Sequence, residues 1–254
     1  MRPLSIVILT KNEERNIIRC VKPLLALSDD VLVLDNGSED ATIELAKQSG
    51  VRVESTSWVG YSETKNKGNQ LAKYDWILSL DADEEVNQDL VDALKKLFEN
   101  EVPNDTAYYI RRKLIYCGKL LQYGSVKNEY RLRLFNRKNG AWNQNQVHED
   151  LVFSSPVKKL KLDGFAWHHS YHSAEEHLKK LETYAKLSSK QMYLQGKKAT
   201  FIKCYLSPLF GFFKNYVYRL GFLDGAIGFQ YASESMWYTK RKYQLLKEAI
   251  ENRR

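Results

Sequence analysis

Cysteine is scarce in this chain: three in 254 residues, Cys20, Cys117 and Cys204, far apart and without a C-x-x-C pair. Such spacing supports neither a disulfide framework nor a cysteine-rich zinc site, and it fits a reducing, cytoplasmic setting. Long apolar runs are missing as well. The longest uncharged stretch of the C-terminal region, Cys204 to Phe213, is about half of the roughly 20 residues a spanning helix needs. The N-terminal run LSIVIL is too short for a signal peptide, and charges follow it at once. No G-x-G-x-x-G follows a predicted strand and no G-x-x-x-x-G-K-[ST] occurs. The phosphate cradles of dinucleotide-binding and P-loop proteins are therefore lacking. There is no internal repeat and no low-complexity linker.

What is present is a composition able to fold, 43% hydrophobic and 28% charged, long enough to bury a core without metal or disulfide staples. The net charge of +8 is unevenly spread. Residues 1–154 carry 21 Lys+Arg against 23 Asp+Glu, and residues 155–254 carry 18 against 8. The C-terminal hundred residues are the part suited to an anionic surface.

The first hundred residues alternate between two periods. Leu4–Leu9, Val31–Asp35, Val51–Glu54 and Trp76–Leu80 are short, often β-branched runs that predict strands. Glu13–Ala26, Asp40–Ser49, Ser62–Lys73 and Asn87–Phe98 predict helices between them. Strands alternating with helices imply an α/β fold with a mostly parallel sheet, whose ligands bind outside the carboxyl ends of the strands. Residues 105–153 are strand-rich and irregular. Past Pro156 a helix capped by Ser173 and Glu176 runs to about Gln195, followed by an aromatic, basic tail.

Three polar clusters fall just after predicted strands: Thr10-Lys11-Asn12-Glu13, Asp35-Asn36-Gly37-Ser38 and Asp81-Ala82-Asp83. Two carboxylates one residue apart can share the metal and ribose ends of a nucleotide diphosphate, and Mg²⁺ takes one or two protein carboxylates with phosphate oxygens and water completing its shell. The same D-x-D also suits a solvated acidic turn capping the next helix. Asp35 either supplies turn chemistry with Asn36-Gly37 or accepts a hydrogen bond from a base N–H.

In their order and spacing, Thr10–Glu14, Leu34–Thr42, Lys65-Asn66 and Leu80–Asp83 resemble the family 2 glycosyltransferases of GT-A fold. Val147-His148-Glu149, His168–Tyr171 and the basic aromatic tail resemble, more narrowly, the bacterial lipopolysaccharide-core β-glucosyltransferases. The resemblance implies a Rossmann-like GT-A domain over residues 1–155 and a helical extension over 156–254. It implies nucleotide-sugar contacts from Thr10, Glu13, Asp35 and Lys65, Asp81 at the ribose or metal, Asp83 as metal ligand and His168 as a supplementary ligand or diphosphate contact. The cofactor it implies is Mg²⁺ or Mn²⁺. Such enzymes invert the anomeric centre, which requires a base on the acceptor hydroxyl and stabilisation of the leaving diphosphate. Glu149 is the favoured base and Asp150 the alternative; a structural ion pair with Arg131 or Arg133 is the competing role for either.

The implied reaction moves glucose from UDP-glucose to an inner-core heptose in β-linkage. Polyprenyl phosphate, another envelope glycan, or a catalytically inactive nucleotide-sugar binder are the alternatives. All five histidines lie between 148 and 177, but no Cys is near and no H-E-x-x-H occurs, which argues against zinc; His172 and His177 are expected at the surface. The tail from Phe201 to Phe213, flanked by Lys197, Lys198, Lys203, Lys214 and Arg219, has the composition of a helix lying on an anionic leaflet, with packing as ordinary core the competing role. A lipid-linked acceptor and peripheral attachment to the cytoplasmic face of the inner membrane follow as expectations. Nucleic acid is not an expected partner, because no recognition module is present.

Overall fold

The computed structural model describes residues 3–143 and 149–252. In chain order it holds β1 (Leu4–Thr10), α1 (Ile17–Val21), β2 (Asp30–Asp35), α2 (Thr42–Gln48), β3 (Arg52–Ser55), α3 (Tyr61–Leu71), β4 (Trp76–Asp81), β5 (Glu84–Val86) and α4 (Gln88–Leu97). There follow β6 (Thr106–Tyr116), β7 (Lys119–Leu120), β8 (Glu129–Asn136), β9 (Gly140–Trp142), β10 (Leu151–Phe153), β11 (Lys158–Lys161), β12 (Ala166–Tyr171), α5 (Ala174–Leu194), α6 (Ser207–Phe213) and α7 (Gly225–Glu251).

The chain divides into two compact units, Met1–Arg112 with Glu129–His169, and Lys113–Asn128 with Ser170–Arg254. The sequence pattern placed its boundary at residue 155. The difference arises because β11 and β12, beyond Pro156, still pair with β6 and β5. The segment after Arg112, in turn, packs its apolar side chains with α7.

The first unit is built on a mixed sheet whose leading strands, β3-β2-β1-β4, run parallel. β1 and β2 are buried along almost their whole length, with apolar centres Ile6–Leu9 and Val31–Leu34, the pattern of a parallel sheet covered on both faces. β8 then joins β4 antiparallel and β6 joins β8. Helix α3 lies so near β1 that a Cβ on Gly68 would stand 2.6 Å from Val7 Cγ1. Helix α4 starts at Asn87, whose side chain accepts the N–H of Leu90 and that of Phe165, tying the N-cap to the residue just before β12.

The helix expected over 13–26 starts only at Ile17 and tightens to a 3₁₀ turn over Lys22–Ala26. Residues 12–14 are instead stitched to the loop after β2. Asn12 N–H donates to Ser38, Glu39 N–H to Asn12, Glu13 N–H to Thr42 and Glu14 N–H to Asp40. Two of the three polar clusters read from the sequence thus form one cross-linked rim.

In the second unit α5 packs along α7, with Arg241 forking onto Glu182 and Ser188 bonded to Tyr238. His177, expected at the surface, is buried. It stacks on Tyr231 at 5.5 Å, hydrogen-bonds Glu234, and Glu234 also accepts from Tyr116. The reason is helical phase: His177 falls on the face of α5 turned to α7, one turn inside the N-cap. His172 is exposed as expected.

Candidate active site

The register of the parallel strands brings the three sequence clusters to one edge of the first unit. Thr10 pairs with Asp35 across β1 and β2, and Leu9 pairs with Asp81 across β1 and β4. Thr10 is buried, and its hydroxyl has no hydrogen-bond partner among the described residues. Asp35 is fully buried; its carboxylate accepts the N–H of Gly37 and of Ser38 and the Ser38 hydroxyl. Its ladder therefore closes the D-N-G-S turn, whose Gly37 sits at φ +81°. Glu13 accepts from the Asn16 amide at 2.6 Å.

The D-x-D carboxylates point to different partners. Asp81 Oδ1 meets Lys65 Nζ at 3.1 Å and Oδ2 meets Arg133 Nη2 at 2.5 Å. Burial raises the Asp81 pKa, but the charges of Arg133, Lys65 and Arg112 outweigh that and hold it well below the usual carboxylate range. Asp83 Oδ2 lies 3.3 Å from His168 Nε2, and the Asp83 carbonyl accepts the N–H of the following residue, His169. Next to this pair His169 sits between Arg19 and Glu85. Burial first, and then Arg19, lower its pKa against the opposing pull of Glu85.

Beneath the D-x-D lies a buried charge cluster that the sequence reading did not find. Glu84, 1% exposed, takes Arg112 at 3.0 Å and Arg133 at 2.8 Å on one oxygen, and the Asp81 N–H on the other. Arg112 also pairs with Glu129. Burial works against the Arg133 charge, and Asp81 and Glu84 more than offset it. Arg133 is thus committed to Asp81 and Glu84, and Arg131 to Glu129. The available signal was the alternation R-L-R-L in β8, which puts Arg133 on the face opposite its leucine neighbours.

Lys65 is 3% exposed and bridges Asp81 to Glu149, at 3.1 and 3.3 Å, with its ammonium 4.7 Å from the Trp142 ring centre. The neighbouring Asn66 exchanges two hydrogen bonds with the Trp142 backbone, both 2.9 Å. The Lys65-Asn66 motif therefore has two jobs: the amide fixes β9, and the amine gathers the carboxylates. Asp150 is exposed, and its backbone carbonyl accepts the Asn143 N–H. Val147 and His148 of the V-H-E motif lie outside the described residues.

With this edge in view the sequence comparison decides the family, for the pattern described as Glycosyl transferase family 2 matches residues 5–183. The chain belongs to glycosyl transferase family 2. A relative called an uncharacterized glycosyltransferase in Rickettsia typhi is 31% identical over 90% of this chain and 81% of its own. The lipopolysaccharide core biosynthesis glycosyltransferase LpsC of Rhizobium meliloti is 26% identical over 91% and 89%. The solved glucosyl-3-phosphoglycerate synthase of Mycobacterium tuberculosis, complexed with Mn²⁺, UDP and phosphoglyceric acid, is 24% identical. It overlaps 44% of this chain and 43% of its own, with a TM-score of 0.37.

The fold implies a divalent metal for this glycosyltransferase, and its residues suit one. No group of three His, Cys, Asp or Glu gathers among the described residues. Asp83 and His168 stand side by side, and the buried His168 Nδ1 has no hydrogen-bond partner among the described residues. One carboxylate and one imidazole leave most of a six-coordinate shell to diphosphate and water oxygens, as Mg²⁺ or Mn²⁺ accepts.

Proposed function

We propose that this glycosyltransferase is an inverting hexosyltransferase that moves glucose from UDP-glucose onto an inner-core heptose of lipopolysaccharide, forming a β-glycosidic bond. The observation that carries the reading is the Lys65 bridge. It draws Glu149 to Asp81, the first carboxylate of the D-x-D, whose second, Asp83, pairs with His168. The name of the LpsC relative supports the acceptor class.

In this reading Thr10, Glu13 and Asp35 line the nucleoside end, with the Thr10 hydroxyl the group that still lacks a partner among the described residues. Asp81 is fixed by Arg133 and Lys65 and holds the ribose end. Asp83 and His168 would hold the divalent cation, whose contribution when bound is Lewis-acid charge for the diphosphate. Glu149 takes the proton of the acceptor hydroxyl, whose oxygen bonds the anomeric carbon as the bond to diphosphate breaks on the opposite face. An α-linked donor therefore gives a β-linked product. Lys65, released from Glu149 as that carboxyl takes up the proton, is left with its charge beside Asp81 and the departing phosphates.

Among the described residues no helix is long and apolar enough to cross a membrane. A lipid-linked acceptor is best served by peripheral attachment to the anionic cytoplasmic face of the inner membrane, through the basic second unit.

The test is calorimetric titration with UDP-glucose, UDP-galactose, UDP-N-acetylglucosamine and GDP-mannose, each with and without Mn²⁺ or Mg²⁺. Metal-dependent binding of UDP-glucose, lost in Asp83→Ala, is the expected result. Binding of none of the four by the folded protein would sink the donor assignment.

A further inference from the structure

The second unit contains a cleft of about 340 Å³ outside the glycosyltransferase site, lined by Ser125, Lys127, Asn128, Tyr218 and Arg219 among others. Its walls carry two cations and no carboxylate. Two turns make it. The N–H of Gly124 donates to the Arg219 carbonyl at 3.0 Å, clipping one turn to the other. Leu220, next to Arg219, holds φ +60°, a left-handed conformation that a branched residue adopts only where its surroundings impose it.

The cleft closes the end of a helical segment of unusual form. From Phe201 to Tyr218 the chain is helical without a break, but Ile202–Leu206 and Lys214–Tyr218 are π-helical around α6. Apolar residues recur every four positions: Phe201, Tyr205, Leu209, Phe213 and Val217, with Ile202, Leu206 and Phe210 beside them. On an α-helix a four-residue spacing advances by about 40° at each step, and the stripe would wind off the face. The wider π turns undo that drift and keep the stripe on one side. That side is bare: Phe201 is 70% exposed, Phe210 69% and Phe213 59%. Between Glu182 and Asp224 the sequence holds seven Lys and Arg and no acidic residue.

We propose that the Lys127–Arg219 cleft seats the phosphate of an anionic phospholipid headgroup, while the adjoining apolar stripe enters the acyl boundary of the same leaflet. The inference rests on the membrane attachment proposed above and adds a headgroup site to it. The two features complement each other in kind: an exposed aromatic face takes the chain region, and a polar, cationic recess at its end takes the phosphate. Lys127 reaches the cleft from above the Tyr123 ring, 5.2 Å from its centre, and Asp224, five residues beyond Arg219, is occupied with the N–H groups of Gln122 and Tyr123.

The experiment is flotation of the full chain with two vesicle sets of equal surface charge, one bearing phosphatidylglycerol and one bearing oleate. Wild type should prefer the phospholipid vesicles several-fold. Lys127→Gln/Arg219→Gln should lose that preference and bind them roughly thirtyfold less, at about fivefold per cation, with UDP-glucose binding retained as the check on folding. Phe201→Ser/Phe210→Ser should lose both vesicle types. Equal partitioning of wild type between the two sets, or a preference kept by the double Gln variant, would overturn the cleft while leaving membrane attachment standing. Failure of wild type to bind either set would remove both. Inorganic phosphate titrated alone, if it bound as tightly as the vesicles, would assign the cleft to free phosphate and overturn the lipid.

Discussion

Replacing Arg133 by Met should be among the most costly single changes in the first unit, and its cost should depend on pH in a defined direction. Arg133 is 5% exposed and its guanidinium serves two carboxylates, Asp81 at 2.5 Å and Glu84 at 2.8 Å. Removing one member of a buried ionic cluster leaves charge without compensation, which costs about 3–5 kcal/mol. At about 2–4 °C per kcal/mol for a chain of this size, the melting point should fall by roughly 10 °C. The folded pKa of Asp81 is depressed, so its contribution to stability is complete above the ordinary aspartate value of 3.8 and is lost as pH falls through the lower folded value. Without Arg133 that depression shrinks. The stability gap between wild type and variant should therefore be widest at neutral pH and close on acidification below the ordinary value. Urea denaturation at neutral and acidic pH, followed by tryptophan fluorescence, measures both quantities. A gap under about 1 kcal/mol at neutral pH, below the range for a broken buried pair, or one that does not narrow with acid, refutes the argument.

Three other outcomes follow from the same geometry. Glu149→Gln should abolish transfer while leaving UDP-glucose binding intact; transfer that persists with Glu149 and Asp150 both neutralised removes the base from this segment. Gly164→Ala should destabilise the first unit by about 3 kcal/mol, since overpacking and a left-handed backbone act together: its Cβ would stand 2.2 Å from Leu90 N at φ +83°. An unchanged melting point would contradict that contact. Burial first, opposed by Glu234, lowers the His177 pKa below its ordinary 6.5, so wild-type stability should fall as pH drops below that value while the unfolded chain takes up the proton. His177→Gln, which keeps a donor for Glu234, should flatten the profile between neutral pH and about one and a half units lower, and an equal slope in both proteins would count against the buried imidazole.

The parallel core was legible because burial on both faces writes itself as uninterrupted Val, Ile and Leu, as in Ile6–Leu9 of β1 and Val31–Leu34 of β2. The D-x-D could be placed at a strand end for the same reason. Ser173 announced α5 through chemistry confined to four residues. What stayed hidden depends on partners distant in the chain. Glu84 becomes a hub only when β6 and β8 deliver Arg112 and Arg133 to it. His177 is buried by rings from Tyr116 and Tyr231, on elements 61 residues before it and 54 after. Local pattern carries neither fact. The start of α1 was displaced for a related reason, because Asn12 to Glu14 bond to the 38–42 loop in preference to each other.

The chain passes between its two units three times, after Arg112, Asn128 and His169. During synthesis this order has a cost in time. The apolar side chains of Leu114, Tyr116, Leu121 and Val126 leave the ribosome early, yet Ile227 and Tyr231, against which they pack, come about a hundred residues later. At about 5–20 residues per second that is a wait of roughly 5–20 s. For that interval the strand end and its tyrosine are covered only by one another and, once it emerges, by Tyr171.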